Sequence, residues 1–541
     1  MKTTPESRSA ELTSAGLWSG QTLHELLDGH ASNRPQRLAV RDQPDRQALT
    51  GHPQVTLTWA QLQAASHNLA RQLSLAGIGV GDEVIVQLPN VAELVVVYYA
   101  LSRLGAVASP VPVQYGAHEL QMLAGALGAS TLISIERLRE QPLAEAARAA
   151  LPGVTVLEFG RELLLDLKPR PAAPGLVPAD ANRILSVCWT SGTTGTPKGV
   201  PRSHNMWVAT GHTSIAAGSM TGDDVLLNPF PLVNMAALGG FLFPAAILGA
   251  SLVLHHPLDP ALFLAQMQDE NVTFTIAPPA LLNQLAKAPQ MWTQFDFSRL
   301  RRIGSGSAPL APSMIATFDR DYGVEIVNFY GSNEGISLFS TPEDAPDPEV
   351  RASRFRRPDP GALIETRVAD PESGEAVDAD GGRGELLIRG ATVFDGYFHH
   401  DNADVFTADG YFRTGDLVEI CEGGNFYRIV GRCKDIINRG GMKISPVELD
   451  LALEHHPAVV EAAVCAYPDD RLGEKICACL VLQADARPPT LAEVQQYLLD
   501  QGFAKFKLPE RIEVLAALPR NPLGKVQRFS LQERVSGVQE R

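Results

Sequence analysis

The most informative segment of this chain is Thr190-Ser191-Gly192-Thr193-Thr194-Gly195-Thr196-Pro197-Lys198-Gly199. It follows an apolar run from residue 184 to residue 189, which predicts a buried strand. Glycines let a backbone approach a ligand closely, hydroxyl groups add short donors, and Lys198 adds a positive charge. Together these features predict a loop that binds a polyphosphate. A flexible surface linker is the alternative, but linkers seldom follow a buried strand.

The spacing around Lys198 excludes a Walker A loop. That loop requires Gly-Lys-Ser/Thr at the start of a helix, whereas Lys198 is followed by Gly199, Val200 and Pro201. The stretch instead resembles the phosphate loop of the adenylate-forming superfamily, which includes acyl-CoA synthetases, peptide-synthetase adenylation domains and luciferases. The resemblance implies a catalytic role for Lys198. It also implies that ATP or AMP is bound by Thr190, Ser191, Gly192, Thr193, Thr194 and Gly195.

Length, charge and cysteine content limit the organisation of the chain and its partners. A chain of 541 residues exceeds one compact core and predicts at least two domains. The net charge of −15 disfavours binding to a nucleic-acid backbone. The six cysteines include no C-x-x-C pair, which favours reduced thiols in a cytoplasmic protein. Pro244 and Gly249 interrupt the apolar run 239–254, so we expect a buried helix-to-strand passage and no membrane span.

Alternating helix and strand patterns predict the fold class. A helix over 58–76 with Thr58 as its N-cap, a strand over 82–88 and a helix over 92–104 indicate α/β layers with parallel strands. Short strands with Gly turns from residue 362 predict a small β-rich subdomain. We therefore expect a large α/β N-terminal adenylation domain (1–433) and a small mobile α+β C-terminal domain (434–541), similar to luciferase and acyl-CoA synthetases. Residues 1–20 are expected to form a loose arm.

A second motif, Phe329-Tyr330-Gly331-Ser332-Asn333-Glu334-Gly335, follows a predicted strand. An aromatic ring stacks on a purine, and a carboxylate oxygen suits Mg²⁺. The resemblance implies that Tyr330 stacks on adenine and that Glu334 is catalytic and coordinates Mg²⁺. It places Gly331, Asn333 and Ser307 at the nucleotide, although the family usually has Thr where Asn333 stands. A tight turn with a solvated glutamate is the alternative.

Three later segments extend the resemblance along the chain. Asp416 in Thr414-Gly415-Asp416 matches the ribose-binding aspartate, and Arg432, sixteen residues later, matches the ribose-binding arginine. Lys434 matches the interdomain hinge. Lys525, in Leu518-Pro519-Arg520-Asn521-Pro522-Leu523-Gly524-Lys525-Val526, matches the catalytic lysine. Read without the resemblance, Thr-Gly-Asp is a hairpin turn and Lys525 a solvated lysine.

The resemblance also implies a pocket for a carboxylic acid. No charged residue lines it, so we expect an apolar or aromatic acyl group. The implied lining residues are Asn234, Met235, Leu238, Gly239, Gly304, Ser305, Gly306 and Ser332.

The expected reaction has two steps. Mg²⁺, Lys198 and Lys525 would offset the charge that develops when a carboxylate attacks the α-phosphate of ATP. Rotation of the C-terminal domain about Lys434 would then exchange Lys525 for a surface that delivers a thiol.

The acceptor of the acyl group divides the functional hypotheses. The leading one is an acyl-CoA synthetase for a fatty, alicyclic or aryl acid, with ATP, Mg²⁺ and CoA. The residues implied at CoA are Arg439, Gly440, Gly441, Phe503 and Lys505. The first alternative is a stand-alone aryl-acid adenylating enzyme that loads a carrier protein, similar to 2,3-dihydroxybenzoate-AMP ligases. Against it, Asn234 precedes Met235 where those enzymes have His-Asn. The second alternative, a non-catalytic ATP-binding protein, predicts loss of Lys525 or Glu334, and both are present. A homodimer is left open.

Overall fold

The computed structural model divides the chain into two compact units. It describes residues 2–170, 176–190, 197–440, 442–469, 471–484, 486–520 and 526–537. The first unit comprises the described residues up to 365 together with 389–410, and the second comprises 366–388 and the described residues from 411 onward. The predicted domain boundary at Cys433–Lys434 lies inside the second unit and stays a prediction.

Two largely parallel sheets organise the first unit. Their strands and the short β15 are β1 Leu38–Arg41, β2 Thr56–Thr58, β3 Glu83–Gln87, β4 Val107–Pro110, β5 Thr131–Ile135, β6 Thr155–Phe159, β7 Ile184–Thr190, β8 Lys198–Ser203, β9 Val225–Asn228, β10 Ser251–Leu254, β11 Phe274–Ile276, β12 Arg302–Gly306, β13 Glu325–Gly331, β14 Ser337–Ser340 and β15 Arg354–Arg356. The larger sheet has the order β14-β13-β12-β11-β9-β10-β1-β2, and the smaller has β6-β5-β3-β4-β7-β8. Only β2, β8 and β14 pair antiparallel in these two sheets, as the described residues show. The predicted α/β class is confirmed.

Helices cover and separate these sheets. They are α1 Glu6–Ser14, α2 Leu23–Asn33, α3 Arg46–Thr50, α4 Trp59–Leu75, α5 Ala92–Leu104, α6 Ala117–Leu127, α7 Leu143–Ala150, α8 His204–Gly218, α9 Met235–Ala237, α10 Phe243–Leu248, α11 Pro260–Asp269, α12 Pro279–Lys287, α13 Gln290–Thr293, α14 Pro312–Thr317 and α15 Pro348–Ser353, with π-helical turns at Leu238–Leu242 and Phe318–Tyr322. Thr58 caps α4 in a capping box with Gln61, as its sequence predicted. Every residue of α5 is buried, including Glu93 and Arg103, whose charges are paired with Arg46 and Asp28 respectively.

The expectation of a loose arm over residues 1–20 is wrong. Helix α1 forms there, and Leu12 and Trp18 are buried in a cluster with Met206 and Ala391. The arm is polar in composition, so its order comes from these distant contacts and not from local periodicity. The apolar run 239–254 forms the expected passage from helix α10 to strand β10. No helix within the described residues is both long and apolar enough to cross a membrane.

The second unit contains a β-rich part and an α+β part. Its strands are β16 Ile364–Ala369, β17 Arg383–Gly390, β18 Phe412–Cys421, β19 Phe426–Arg432, β20 Ile437–Arg439, β21 Met442–Ile444, β22 Val459–Asp469, β23 Gly473–Leu482 and β24 Arg511–Val514, and its helices are α16 Pro446–Glu454, α17 Leu491–Asp500 and α18 Arg528–Val535, with a 3₁₀ turn at Lys505–Lys507. Strands β17, β18 and β19 are antiparallel neighbours. The second sheet runs β21-β20-β23-β22, and β24 pairs with β23. All six cysteines are free thiols.

Candidate active site

The hairpin of β7 and β8 carries the ends of the predicted phosphate loop. Thr190 closes β7 and lies opposite Lys198, which opens β8. The Thr190 hydroxyl donates to the Lys198 carbonyl at 3.4 Å. The loop itself, Ser191 to Thr196, lies outside the described residues, so its predicted contacts with ATP stay predictions. The hairpin nevertheless holds Lys198 at the base of that loop.

Glu334 and Lys198 meet at one aromatic side chain, Tyr397. The Tyr397 hydroxyl donates to Glu334 Oε1 at 2.9 Å. Lys198 Nζ lies 4.7 Å from the centroid of the Tyr397 ring, a distance at which a cation is attracted to the ring face. Three segments that are far apart in the chain therefore converge. The sequence analysis did not single out Tyr397, because a Gly-Tyr pair after a strand carries no periodicity or spacing that predicts this contact.

The Glu334 turn is held tightly against the segment that carries Tyr397. Gly335 has a φ of +117°, and a Cβ at this position would lie 2.2 Å from the Thr392 carbonyl oxygen. The backbone N–H of Phe394 donates to the Glu334 carbonyl at 2.9 Å. A residue with a side chain cannot replace Gly335 without moving one of these segments. The position of Glu334 is thus fixed by backbone contacts.

The residues around Glu334 suit a Mg²⁺ ion that takes one carboxylate from the protein and its other ligands from nucleotide phosphates and water. No group of three or more His, Cys, Asp or Glu side chains suited to a metal occurs among the described residues. Mg²⁺ commonly keeps several waters and binds one or two carboxylates together with substrate phosphates. Glu334 uses Oε1 to accept from Tyr397, and Oε2 has no hydrogen-bond partner in the described part of the chain. One carboxylate with an available oxygen matches that mode of binding.

Asn333 connects the phosphate hairpin to the predicted acid pocket. Its Oδ1 accepts from the Met235 backbone N–H at 2.8 Å, and its Nδ2 donates to the Trp189 carbonyl at 3.2 Å. The family's usual Thr would have to make both bonds from a single hydroxyl oxygen on a shorter side chain, whereas Asn333 makes them from two separate atoms. Asn333 retains one further amide hydrogen that is not used in these bonds. The predicted contact to a phosphate oxygen therefore remains open to it.

Arg202 is a buried cation beside the same residues, and sequence reasoning gave it no role. It is 0% exposed, and its Nη1 donates to the Asn333 carbonyl at 3.1 Å and lies 3.3 Å from Met235 Sδ. Its Nη2 donates to Thr392 O at 2.7 Å, and its guanidinium lies 4.3 Å from the Trp207 ring centroid. Burial lowers the pKa of Arg202 to about 10, so it stays charged at neutral pH. A positive charge thus stands behind a pocket that the sequence predicted to be uncharged.

Several predicted pocket residues are used for packing and capping. Asn234 is the N-cap of α9, and its Oδ1 accepts from Ala236 N at 3.1 Å. Ser305 Oγ donates to the Ala277 carbonyl at 2.8 Å. A Cβ on Gly306 would lie 2.1 Å from Phe329 O. Their predicted contacts with the acid stay predictions.

Gly239, Leu238, Gly304 and Ser332 are the remaining predicted pocket residues. A Cβ on Gly239 would meet Thr210 Cγ2 at 2.6 Å and Met235 Sδ at 3.3 Å, so this glycine lets two segments pack closely. Leu238 is buried, and Gly304 packs on β11 and β13 in the same way. Ser332 Oγ is buried with no hydrogen-bond partner among the described residues. An unsatisfied buried hydroxyl is costly, so Ser332 is the pocket residue best suited to a ligand.

Tyr330 and Ser307 are both predicted to bind the nucleotide, and they lie at the ends of β13 and β12 respectively. The Tyr330 ring lies 5.5 Å from the Phe355 ring at an interplanar angle of 47°. It is half-buried at the end of β13, next to Gly331. Ser307 follows β12 with a φ of +66°, which is uncommon for a residue with a side chain. Strained backbone of this kind is often found at binding sites.

In the second unit the two predicted ribose residues lie together. Asp416 on β18 faces Arg432 on β19 in the antiparallel register, and Arg432 Nε lies 2.8 Å from Asp416 Oδ1. Arg432 Nη2 also donates to the Thr414 carbonyl at 3.2 Å. Lys434, the predicted hinge, is exposed in the turn that follows β19. The pairing fits one shared ligand for Asp416 and Arg432.

Some of the predicted thiol-binding residues of the second unit already contact other parts of the protein. Arg439 Nε donates to Glu510 at 2.5 Å, and Gly440 has a φ of +56°. Phe503 packs on the core of the α+β part, while Lys505 is exposed. An open groove of about 470 Å³ is lined by Gln501, Gly502, Phe503, Ala504, Phe506 and Lys507. Gly441 and Lys525 lie outside the described residues.

Comparison with known proteins identifies the family. The AMP-binding enzyme family matches residues 37–398, and the AMP-binding enzyme C-terminal domain matches residues 448–525. The chain therefore belongs to the AMP-binding enzymes, the adenylate-forming superfamily that its motifs indicate. Its fold of a large α/β part and a small C-terminal part is that of this superfamily.

Individual relatives differ in the acceptor that their names specify. The chain is 32% identical to a salicyl-AMP ligase/salicyl-S-ArCP synthetase of Mycobacterium tuberculosis, over 97% of this chain and 93% of that protein. It is also 32% identical to a 2-hydroxy-7-methoxy-5-methyl-1-naphthoate–CoA ligase of Streptomyces carzinostaticus, over 99% and 97%. The structure of Bacillus subtilis O-succinylbenzoate CoA synthetase in complex with ATP and magnesium superimposes with a TM-score of 0.79 and 26% identity, covering 94% of this chain and 98% of that one.

Proposed function

We propose that the protein activates an apolar or aromatic carboxylic acid with ATP and transfers the acyl group to the thiol of CoA. The observation that carries this proposal is the convergence of Lys198 and Glu334 on Tyr397, at the base of the predicted phosphate loop. A cation and a carboxylate held close together without pairing suit phosphate and Mg²⁺ respectively. The family match and the relatives that act on aryl acids support the same reaction.

In the first half-reaction a carboxylate oxygen of the acid attacks the α-phosphorus of ATP, and pyrophosphate leaves. Lys198 is proposed to bind the phosphates, and Lys525 to hold the carboxylate in line with phosphorus. Glu334 would hold Mg²⁺, which supplies positive charge to the phosphate oxygens. Tyr330 is proposed to stack on adenine, and Asp416 with Arg432 to bind the ribose.

In the second half-reaction a thiol attacks the carbonyl carbon of the acyl-adenylate, and AMP leaves. The groove along Phe503 and Lys507 supports a site for a pantetheine arm on the second unit. The exposed Lys505 beside it suits a phosphate group of CoA. Lys434 is proposed as the hinge about which this part of the chain moves between the two steps.

A second candidate is the loading of a carrier protein with an aryl acid. The 32% identity to the salicyl-AMP ligase, over nearly the whole length of both proteins, favours it. Both acceptors present the same pantetheine thiol, so the acyl-adenylate chemistry is common to the two candidates. They differ only in whether free CoA discharges the adenylate.

A pyrophosphate-exchange screen over carboxylic acids tests the first half-reaction. Benzoic, salicylic, naphthoic, alicyclic and fatty acids are compared with ATP and Mg²⁺, and Glu334→Gln is the matched inactive control. We expect exchange with an apolar or aromatic acid. The best acid is then incubated with ATP and either CoA or a phosphopantetheinylated carrier protein. Formation of acyl-CoA supports the leading candidate, whereas an adenylate that only the carrier discharges supports the second.

A further inference from the structure

Tyr397 lies between the two charged groups on which the proposed adenylation depends. We infer that Tyr397 is a positioning residue that orients Glu334 for Mg²⁺ and keeps Lys198 from pairing with Glu334. The inference rests on the proposed function, because it assigns Lys198 to phosphate and Glu334 to Mg²⁺. It adds a residue to which the sequence motifs gave no role.

The Tyr397 hydroxyl fixes the Glu334 carboxylate. Its 2.9 Å bond to Oε1 restrains rotation of that carboxylate, while Oε2 has no hydrogen-bond partner among the described residues. A carboxylate restrained in this way presents a defined oxygen to a metal. Partners that orient a metal ligand commonly change metal affinity by about 10- to 100-fold when they are removed.

The Tyr397 ring separates opposite charges. Lys198 Nζ lies 4.7 Å from the ring centroid, and Lys198 forms no ion pair with Glu334 in the described part of the chain. A contact between a cation and a ring is weaker than a charge-assisted hydrogen bond to a carboxylate. Incoming phosphates therefore displace Lys198 from the ring more readily than they would break a direct pair with Glu334.

Backbone contacts keep Tyr397 in this position. The N–H of Phe394 donates to the Glu334 carbonyl at 2.9 Å, and the N–H of Phe398 donates to the Gly199 carbonyl at 2.8 Å. Tyr397 thus lies in a short segment whose two ends are bonded to the two motifs that it joins. These bonds fix the backbone from which the Tyr397 side chain reaches both motifs.

Direct nucleotide binding tests the inference without requiring the correct acid. Calorimetric titration with α,β-methylene-ATP is performed at graded Mg²⁺ concentrations on the wild type, Tyr397→Phe and Tyr397→Leu. Tyr322→Phe is the matched control, because it removes another hydroxyl that bonds a carbonyl, Leu285 O at 2.9 Å. Thermal unfolding without ligand confirms that each variant is folded.

The two Tyr397 variants separate the roles of hydroxyl and ring. Tyr397→Phe should raise the Mg²⁺ concentration for half-maximal binding by about tenfold and leave Mg²⁺-free binding unchanged. Tyr397→Leu should also weaken Mg²⁺-free binding, because Lys198 is then able to pair with Glu334. In Glu334→Gln, adding Tyr397→Phe should cause no further loss of Mg²⁺ dependence, since the hydroxyl acts through that carboxylate.

The outcomes distinguish this inference from the proposed function. If the wild type binds the nucleotide and Tyr397→Phe shows the same Mg²⁺ dependence, the role of the hydroxyl is wrong. If Tyr397→Leu matches Tyr397→Phe without Mg²⁺, the role of the ring is wrong. If the wild type binds no nucleotide with Mg²⁺ present, the proposed function fails and the inference fails with it.

Discussion

Arg432 Nε lies 2.8 Å from Asp416 Oδ1, across the antiparallel pair of β18 and β19. The arginine restrains the carboxylate in one orientation, which suits it to accept hydrogen bonds from both ribose hydroxyls. The family resemblance implied a ribose-binding role for both residues. Their pairing gives a physical reason for the sixteen-residue spacing, because a hairpin of this length brings the two positions opposite each other.

Replacement of Asp416 should abolish recognition of the ribose. Hydrogen bonds to a charged group contribute about 1.5–3 kcal/mol, so Asp416→Asn should raise KM for ATP by roughly tenfold or more. Pyrophosphate exchange with ATP and with 2′,3′-dideoxy-ATP measures the effect. The wild type should prefer ATP, and the variant should lose that preference.

A control on the same strand separates ribose binding from the stability of the hairpin. Glu419→Gln removes a carboxylate that pairs with Arg383 and Arg428, and it should leave the preference for ATP intact. An Asp416→Asn protein that still discriminates against the dideoxy nucleotide would contradict the assigned role.

Lys525 is expected to act only in adenylation. Lys525→Ala should reduce pyrophosphate exchange by about a hundredfold or more, as expected for a lost donor to the transition state. Thioester formation from a synthetic acyl-adenylate should be retained, because the thiol step does not use this lysine. Lys287→Ala, at an exposed helix end, is the matched control. Normal exchange in Lys525→Ala contradicts the prediction.

Lys434 is expected to act as a hinge. Lys434→Pro fixes φ at this position and restricts Cys433 before it, so rotation should be hindered. Adenylate formation should survive better than thioester formation, measured as separate half-reactions. Lys434→Ala keeps the backbone free and should preserve both steps. An equal loss of both steps in a folded Lys434→Pro protein would show that Lys434 is not a hinge.

Stability should fall as the pH is lowered from 7 towards 5. Burial lowers the pKa of His24 to about 4, of His204 to about 3 and of His256 to about 4, from an ordinary value of 6.5. The unfolded chain therefore binds more protons below 6.5, so the stability present above that pH is lost as pH falls. Between pH 6.5 and its lowered pKa, each histidine reduces the free energy of unfolding by about 1.4 kcal/mol for each unit that the pH falls.

Buried carboxyl groups oppose this trend. Burial raises the pKa of Asp42 to about 6 and that of Glu454 to about 7, so their contributions to stability increase as the pH falls through those values. The three histidines should outweigh these two carboxyl groups. The thermal midpoint is measured against pH for the wild type and for His24→Asn, which removes one of the three groups. A shallower slope in the variant is expected, and an unchanged slope excludes His24 as a contributor.

The sequence predicted elements whose signals are local and missed those fixed by distant contacts. The cap at Thr58 and the mainly apolar run 92–104 define α4 and α5 by themselves. Helix α1 has no such signal, because its order comes from Trp18 packing among residues nearly two hundred positions or more away. Tyr397 was missed for the same reason, since its partners are Lys198 and Glu334.

Loss of Arg8 should destabilise the first unit. Arg8 Nη1 lies 2.5 Å from Asp395 Oδ1, and Nη2 donates to the carbonyls of Gly390 and Val393 at 3.0 Å. Burial raises the pKa of Asp395, so an unpaired carboxylate there is costly. Arg8→Ala should lower the free energy of unfolding by about 3 kcal/mol. Adding Asp395→Asn should recover part of the loss in denaturant titrations, and no recovery would show that the ion pair is not the cause.

The contact between α1 and Asp395 also constrains the order of events during synthesis. Arg8 and Asp395 are 387 residues apart, so α1 leaves the ribosome long before its docking site exists. At about 5–20 residues per second, the delay is roughly 20–80 s. Of the residues that cover Leu12 and Trp18, Met206 is synthesised partway through this interval and Ala391 only near its end, so this apolar cluster is completed only after Ala391 has left the ribosome.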